Sequence, residues 1–183
     1  GLGKSTVLAP HAAVPALRMV VETWESLHRH PFDWELIGVE PGDRFPLRTG
    51  LMLEALPADD VIPTVGWAVW RTKHRLVRSL VGASGAEIRA VKATGALVTE
   101  PTEELLLAVS GDTRSTMPGC VSQLREAAVA CMETTFLDDR CDADHATAGG
   151  HTHVDQLIDI PWKNQTLVPY HISQRYDVNT ARR

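Results

Sequence analysis

The side chains that bind metals or move protons are concentrated near the C-terminal end, in Cys141-Asp-Ala-Asp144-His145-Ala-Thr-Ala-Gly149-Gly150-His151-Thr-His153-Val-Asp155. Four of the eight histidines fall between His145 and His171. In an extended segment, residues two apart point to the same side. His151 and His153 therefore present two imidazoles together, a common way to hold Zn or Fe. Asp155 continues the row. A straight strand would put it roughly 13 Å from His151, because each residue rises about 3.3 Å. One ion cannot take all three unless the chain bends. Gly149-Gly150 offers such a bend, and a further ligand is sought among His145, Cys141, His171 and Asp144. The expectation is that His151 and His153 ligate a divalent metal, with His145 or Asp155 completing the site or acting as general base. The competing reading is a solvated loop of Asp, His, Thr and Gly.

Two resemblances attach to these residues. Thr152-His153-Val154-Asp155, preceded by glycines, resembles the Thr-His-x-Asp core of the metal-dependent cyclase and kynurenine-formamidase family, which implies a divalent metal that activates water. The chain departs from that pattern at His151, where the family has Gly, and at Gln156-Leu157-Ile158, so the family's fold is not carried over. His151-Thr-His153 is also similar to the metal pair of nicking enzymes, which would make Tyr170 and Tyr176 candidate nucleophiles. Thr152 departs from the bulky apolar residue expected there. The simpler reading of Tyr170 is a residue of a terminal strand.

Elsewhere the signals are weaker. Gly3-Lys4-Ser5-Thr6 resembles the end of a P-loop without its first glycine, and Pro10 would disturb the helix that must follow. Trp70-Arg71-Thr-Lys73-His74-Arg75-Leu-Val-Arg78 is the strongest basic run. It could meet a phosphate, an acidic partner or RNA, and its bland reading is a solvated helix face. His28-Arg29-His30 suits a helix C-terminus, where cations complement the dipole. Cys120 and Cys131 read as small core residues. There is no Gly-x-Ser-x-Gly elbow, Cys-x-x-Cys pair or dinucleotide fingerprint.

The elements that must position these residues follow from hydrophobic period. Residues 1–14 read as an irregular arm. Leu17, Val20, Val21 and Trp24 then follow a helical spacing that starts at Pro15 and stops before Pro31. Strands are predicted over Trp34–Val39, Leu47–Leu56 and around Val65–Trp70. A helical side of Leu76, Val77, Leu80 and Val81 follows, then a meander of Glu87–Ala93, Ala96–Thr99 and Glu104–Ser110. A helix is predicted from Ser115 to about Phe136, with Val121, Leu124, Ala128, Cys131 and Met132 as its apolar stripe. Short strands close the chain near Leu157–Ile160 and Thr166–Ile172, and residues 178–183 read as a frayed tail. The sum is one α+β domain over 15–177, a mostly antiparallel sheet with about three helices packed on it.

Composition bounds the function. At 183 residues with a net charge of −5 and a sequence pI near 5.9, the chain lacks the overall basic footprint of a dedicated nucleic-acid binder. No run reaches the roughly 20 apolar residues of a membrane helix. Three cysteines without framework spacing fit the cytoplasm or another reducing compartment. Because the chain starts at Gly1 rather than Met, a removed targeting segment stays open. The leading expectation is a small intracellular enzyme that performs metal-assisted hydrolysis or lyase chemistry on a small-molecule substrate, with nucleic acid and membrane disfavoured as partners. The alternative is a non-enzymatic subunit of a homo-oligomer or larger assembly, whose tryptophans and basic run dock on partners.

Overall fold

Val65–Leu76 alternates small and large residues on its two faces, and the main sheet is built around it as strand β5. The computed structural model describes residues 4–28 and 31–177. In chain order its elements are β1 (Ser5–Pro10), α1 (Val14–His28), β2 (Trp34–Val39), β3 (Arg44–Arg48), β4 (Leu51–Pro57), β5, α2 (Gly85–Ala93), β6 (Thr99–Val109), α3 (Thr116–Cys120), α4 (Ser122–Glu126), β7 (Val129–Glu133), α5 (Ala143–Ala148) and β8 (Thr166–Tyr170). Strands β3 to β8 form one six-stranded sheet in chain order, and β1 and β2 form a separate parallel pair.

The sheet is mixed. Strands β3 to β6 are antiparallel neighbours joined by turns or an arm, whereas β6, β7 and β8 run parallel. Parallel neighbours need crossover connections. Helices α3 and α4 supply the one between β6 and β7, and α5 with the 3-10 turn Val154–Leu157 lies in the one between β7 and β8. The expectation of a mostly antiparallel sheet with about three helices is thus corrected to a mixed sheet with five α-helices among the described residues. The α+β character holds.

Several local readings change for identifiable reasons. The stretch expected to be an irregular arm contains β1, which pairs with β2 from Ser5 opposite Trp34 to Pro10 opposite Val39. Lys4 forms an ion pair with Glu35, and Gly3 of the P-loop-like run lies outside the described residues. The apolar side read as a helix at Leu76–Val81 belongs to the end of β5 and a 3-10 turn, Arg78–Leu80. Cross-strand charges decide this, since Arg71 sits opposite Glu104 and both Arg71 and Lys73 bond its carboxylate. The first strand of the expected meander is α2, whose Ser84-x-x-Glu87 forms a reciprocal capping box. The long helix expected from Ser115 breaks at Val121, which is extended, after Pro118-Gly119, and its second half is β7. A short buried apolar strand and a buried helix segment share one hydrophobic signature. Arg29, His30 and residues 178–183 lie outside the described residues.

The core lies on one face of the sheet. Ala68, Ala108 and Ala130 stand side by side on β5, β6 and β7, all fully buried. Their small side chains let Leu124 of α4, Met117, Val121 and Ala127 approach the sheet closely. The stripe on α1 behaves otherwise: Leu17, Val20, Trp24 and Leu27 all face solvent, and no residue of α1 is buried. No described helix is long and apolar enough to cross a membrane.

Candidate metal centre

Alternation along β7 places Met132 in the core and Glu133 on the opposite face, where its side chain is wholly buried. Glu133 is the last residue of its strand. Asp112 follows the end of β6, and His171 follows the end of β8. The three acidic or imidazole groups thus gather beyond the carboxyl ends of three parallel strands, where ligands bind in open sheets. His151 reaches the same place by another route. Asp142 caps α5 by accepting from the His145 N–H, and the helix ends at Gly149-Gly150, with Gly150 at φ 87°. The chain then turns so that the Thr152 N–H donates to Glu133 Oε2 at 2.9 Å. A bridge from Phe136 to His153 fixes that register.

Ligand atoms of Glu133, His151 and His171 all lie within 4.8 Å of one another. His151 Nδ1 is 3.3 Å from Glu133 Oε1, off the line of a hydrogen bond, and is buried with no other hydrogen-bond partner. His171 Nδ1 lies 3.8 Å from the same oxygen and 3.4 Å from Asp112 Oδ1. Glu133 Oε1 also accepts from the Thr135 hydroxyl and N–H. Burial pushes the Glu133 carboxyl above its ordinary range, against the opposing pull of hydrogen bonds from Thr135 and Thr152 and of the nearby His151. The wall is buried and the mouth is open, since the His171 and Asp112 side chains are 44% and 40% exposed. One carboxylate and two imidazoles, with an orphaned imidazole nitrogen among them, are a donor set that fits zinc.

The residues singled out in the sequence are distributed as follows. His151 is in the cluster. His153 is buried outside it, with Nδ1 accepting from the Asp155 N–H and Nε2 3.3 Å from the Asp138 carbonyl. Asp155 is 66% exposed beside His153. His145 is exposed on α5, edge-on to Phe136, whose ring also meets His151. Tyr170 directs its hydroxyl to Ser110, and Tyr176 is buried with its oxygen on the Leu137 N–H. The sequence reading passed over Glu133 and Asp112. A lone acid in the apolar run Val129–Phe136 was the available signal, because a buried charge must find partners.

No protein-family model matches the chain. Among curated proteins it is 29% identical over 177 residues to tRNase Z TRZ1 of Arabidopsis thaliana, covering 94% of this chain and 63% of that protein. It is 30% identical over 177 residues to the chloroplastic tRNase Z TRZ2 of the same plant, covering 92% of this chain and 50% of that protein. A nuclear ribonuclease Z of Triticum aestivum matches at 28% over 87 residues, 45% of this chain and 49% of that protein. The chain therefore spans between half and two thirds of the length of the first two relatives. These relatives overturn the expectation of a small-molecule substrate with nucleic acid disfavoured, for they are named as nucleases of tRNA or RNA. The physical error lay in using net charge, a global average that conceals local segregation. Exposed Arg75, Arg78, Arg89 and Lys92 all fall on the arm from the end of β5 to the end of α2, over residues 75–93, a stretch that holds one acid, Glu87.

Among solved structures, human tRNase Z, short form, aligns with a TM-score of 0.59 at 18% identity, covering 96% of this chain and 64% of that one. The metallo-β-lactamase fold protein YhfI of Bacillus subtilis aligns with a TM-score of 0.54 at 11% identity, covering 97% and 69%. At these identities the likeness speaks to fold, and over the length it spans this chain has the metallo-β-lactamase fold.

Proposed function

We propose that this chain forms part of a metal-dependent hydrolase that cleaves phosphodiester bonds in RNA, with tRNA as the substrate class. The observation that carries the reading is the convergence of Glu133, His151 and His171 within 4.8 Å beyond the ends of the parallel strands β7 and β8. The names of the relatives supply the substrate class.

His151 and His171 would hold the ion, with Glu133 as the carboxylate behind them. A bound divalent metal, zinc by its donor set, supplies a Lewis acid and a water acidic enough to be hydroxide near neutral pH. The residues around it have separable tasks. Glu133, fixed by Thr135 and Thr152, orients the His151 ring. Asp112 does the same for the exposed His171 ring and offers a carboxylate at the mouth. In this reading His153 and Asp155 shape the turn that delivers His151, and His145 pads Phe136.

An open mouth suits a polymer. The arm cations support this, since β6 runs 11 residues from Thr99 to Val109. At about 3.3 Å per residue, the arm starts roughly 30 Å from the strand end beside the site. A phosphate chain can engage both places at once, whereas a small molecule cannot. The interaction-subunit reading draws on the exposed Leu17, Val20, Trp24 and Leu27 stripe of α1 and is compatible with an enzyme that has further parts.

The test is the metal content of the purified chain by elemental analysis, with cleavage of a labelled tRNA transcript as second readout. The expected result is stoichiometric zinc, lost in His151→Ala and His171→Ala. Wild-type protein that takes up no zinc, and whose unfolding is indifferent to chelator, would end the proposal.

A further inference from the structure

His171 is the only described non-glycine residue with positive φ, at 60°. It has just left β8, whose last paired residue, Tyr170, lies opposite Glu133. A left-handed backbone at a residue that carries a Cβ persists only where its surroundings hold it. Behind it the Thr134 N–H donates to the Tyr170 carbonyl at 2.9 Å. Beside it the Thr135 hydroxyl lies 3.2 Å from the His171 carbonyl and 3.3 Å from its Nδ1. Ahead of it the Ser173 N–H donates to the Thr135 carbonyl at 3.1 Å.

The last anchor is a side chain. Tyr176 is buried, and its oxygen accepts the Leu137 N–H at 3.0 Å. The Arg140 guanidinium lies over the Tyr176 ring, 4.6 Å from its centroid. Arg140 also bonds the Asp138 carboxylate at 3.0 Å and donates to the Arg175 carbonyl at 3.3 Å. The segment after His171 is thus clasped to the segment after Glu133, from Thr135 opposite Ser173 to Leu137 on Tyr176.

We infer that Tyr176 is a positioning residue, which through its clasp with Leu137, Asp138 and Arg140 holds the His171 ring against Glu133. The inference rests on the reading of His171 as a metal-site residue. Its geometric part does not require the metal. Tyr176→Phe keeps the ring under Arg140 and deletes the hydroxyl, which accepts the Leu137 N–H and bonds the Asp138 carboxylate. Asp138→Asn keeps Tyr176 and weakens the hold on Arg140.

The experiment labels histidine rings with ¹³C in the full chain and records the metal-free spectrum of wild type, both variants and His171→Ala, which assigns the His171 signal. Zinc affinity is then measured by competition with a chromophoric chelator. The expected result is a displaced or broadened His171 signal in Tyr176→Phe and zinc affinity about tenfold weaker. A folded Tyr176→Phe with an unchanged His171 signal overturns the inference and leaves Tyr176 as packing alone. Should that variant not fold, Asp138→Asn is read by the same two criteria. Wild type that binds no zinc sinks the metal reading, while the His171 signal still decides the positioning.

Discussion

The Thr152 backbone N–H donates to Glu133 Oε2 across 2.9 Å, and both groups are buried. This single bond joins the turn carrying His151 to the end of β7. Because Oε1 accepts from the Thr135 N–H and hydroxyl, both carboxylate oxygens face donors. Glu133→Gln must turn its amide NH₂ toward one of them. A buried donor then faces a donor, which costs on the order of 1–3 kcal/mol. The expected outcome is a lower urea midpoint with an unchanged slope, accompanied by loss of zinc. A midpoint equal to wild type would show that these donors do not hold the carboxylate in solution.

Gly150 has a left-handed φ of 87°, and a Cβ there would run into the Asp60 carboxylate and come within 3.2 Å of the Val61 nitrogen. Gly150→Ala combines backbone strain with that collision, so a loss of roughly 1–3 kcal/mol or more is expected. Adding Asp60→Ala removes the collision with the carboxylate and leaves the strain and the 3.2 Å approach to the Val61 nitrogen. Urea unfolding of the single and double variants separates the two. If the double variant is no more stable than Gly150→Ala alone, the contact with Asp60 is not the obstacle.

Much of the chain's local structure was legible. Trp34–Val39 forms the strand its short apolar run predicts, Thr166–Tyr170 lies within the predicted Thr166–Ile172, and the helix after Pro15 exists. What the α1 period could not say is that its stripe faces solvent, because period records a face and not what covers it. The site was legible only in part. His151 stood out by composition, but Glu133 joins it, and Asp112 joins His171, through strand order, which pairs β7 with β6 and β8 in parallel. Reading Val129–Glu133 as the end of a helix hid that relationship. His153 illustrates the converse, since an alternating His-x-His spacing suggested one shared face, whereas the chain bends there and His153 turns to the backbone at Asp138 and Asp155.

The three cysteines differ in surroundings. Cys120 is exposed, Cys131 is half-buried and Cys141 is buried, with its thiol pushed up by that burial. Only the thiolate is nucleophilic, so access and acidity act in the same direction. With a disulfide reagent at mild alkaline pH, Cys120 is expected to react first and Cys141 only as fast as the chain opens. Mass mapping of the labelled peptides over time checks the order. Early modification of Cys141 would contradict the packing of Phe136, Cys141 and Ala146.

On the proposed reading, Glu104 sets whether the β5 cations Arg71 and Lys73 add to those of the arm in meeting a phosphate chain. It bonds Lys73 at 2.7 Å and Arg71 at 2.8 Å, and these two contacts, Lys73 first, hold its carboxyl below the ordinary 4.5. A depressed carboxylate contributes its interaction above its unfolded value and loses it as pH falls through the folded one. Acid therefore releases the pair only below the ordinary carboxylate range, and at neutral pH both cations stay engaged. Glu104→Gln frees them without acid. Each additional cation that meets a phosphate steepens the dependence of log affinity on log salt by roughly 0.7–0.9. The expected outcome is tighter tRNA binding at low salt and a slope steeper by up to about twice that amount. Replacing Arg75 and Arg78 with Ala should flatten the slope instead. Fluorescence anisotropy across a salt series measures both. If neither substitution moves the slope, the arm does not touch the nucleic acid, and the cations on it serve only to pair β5 with β6.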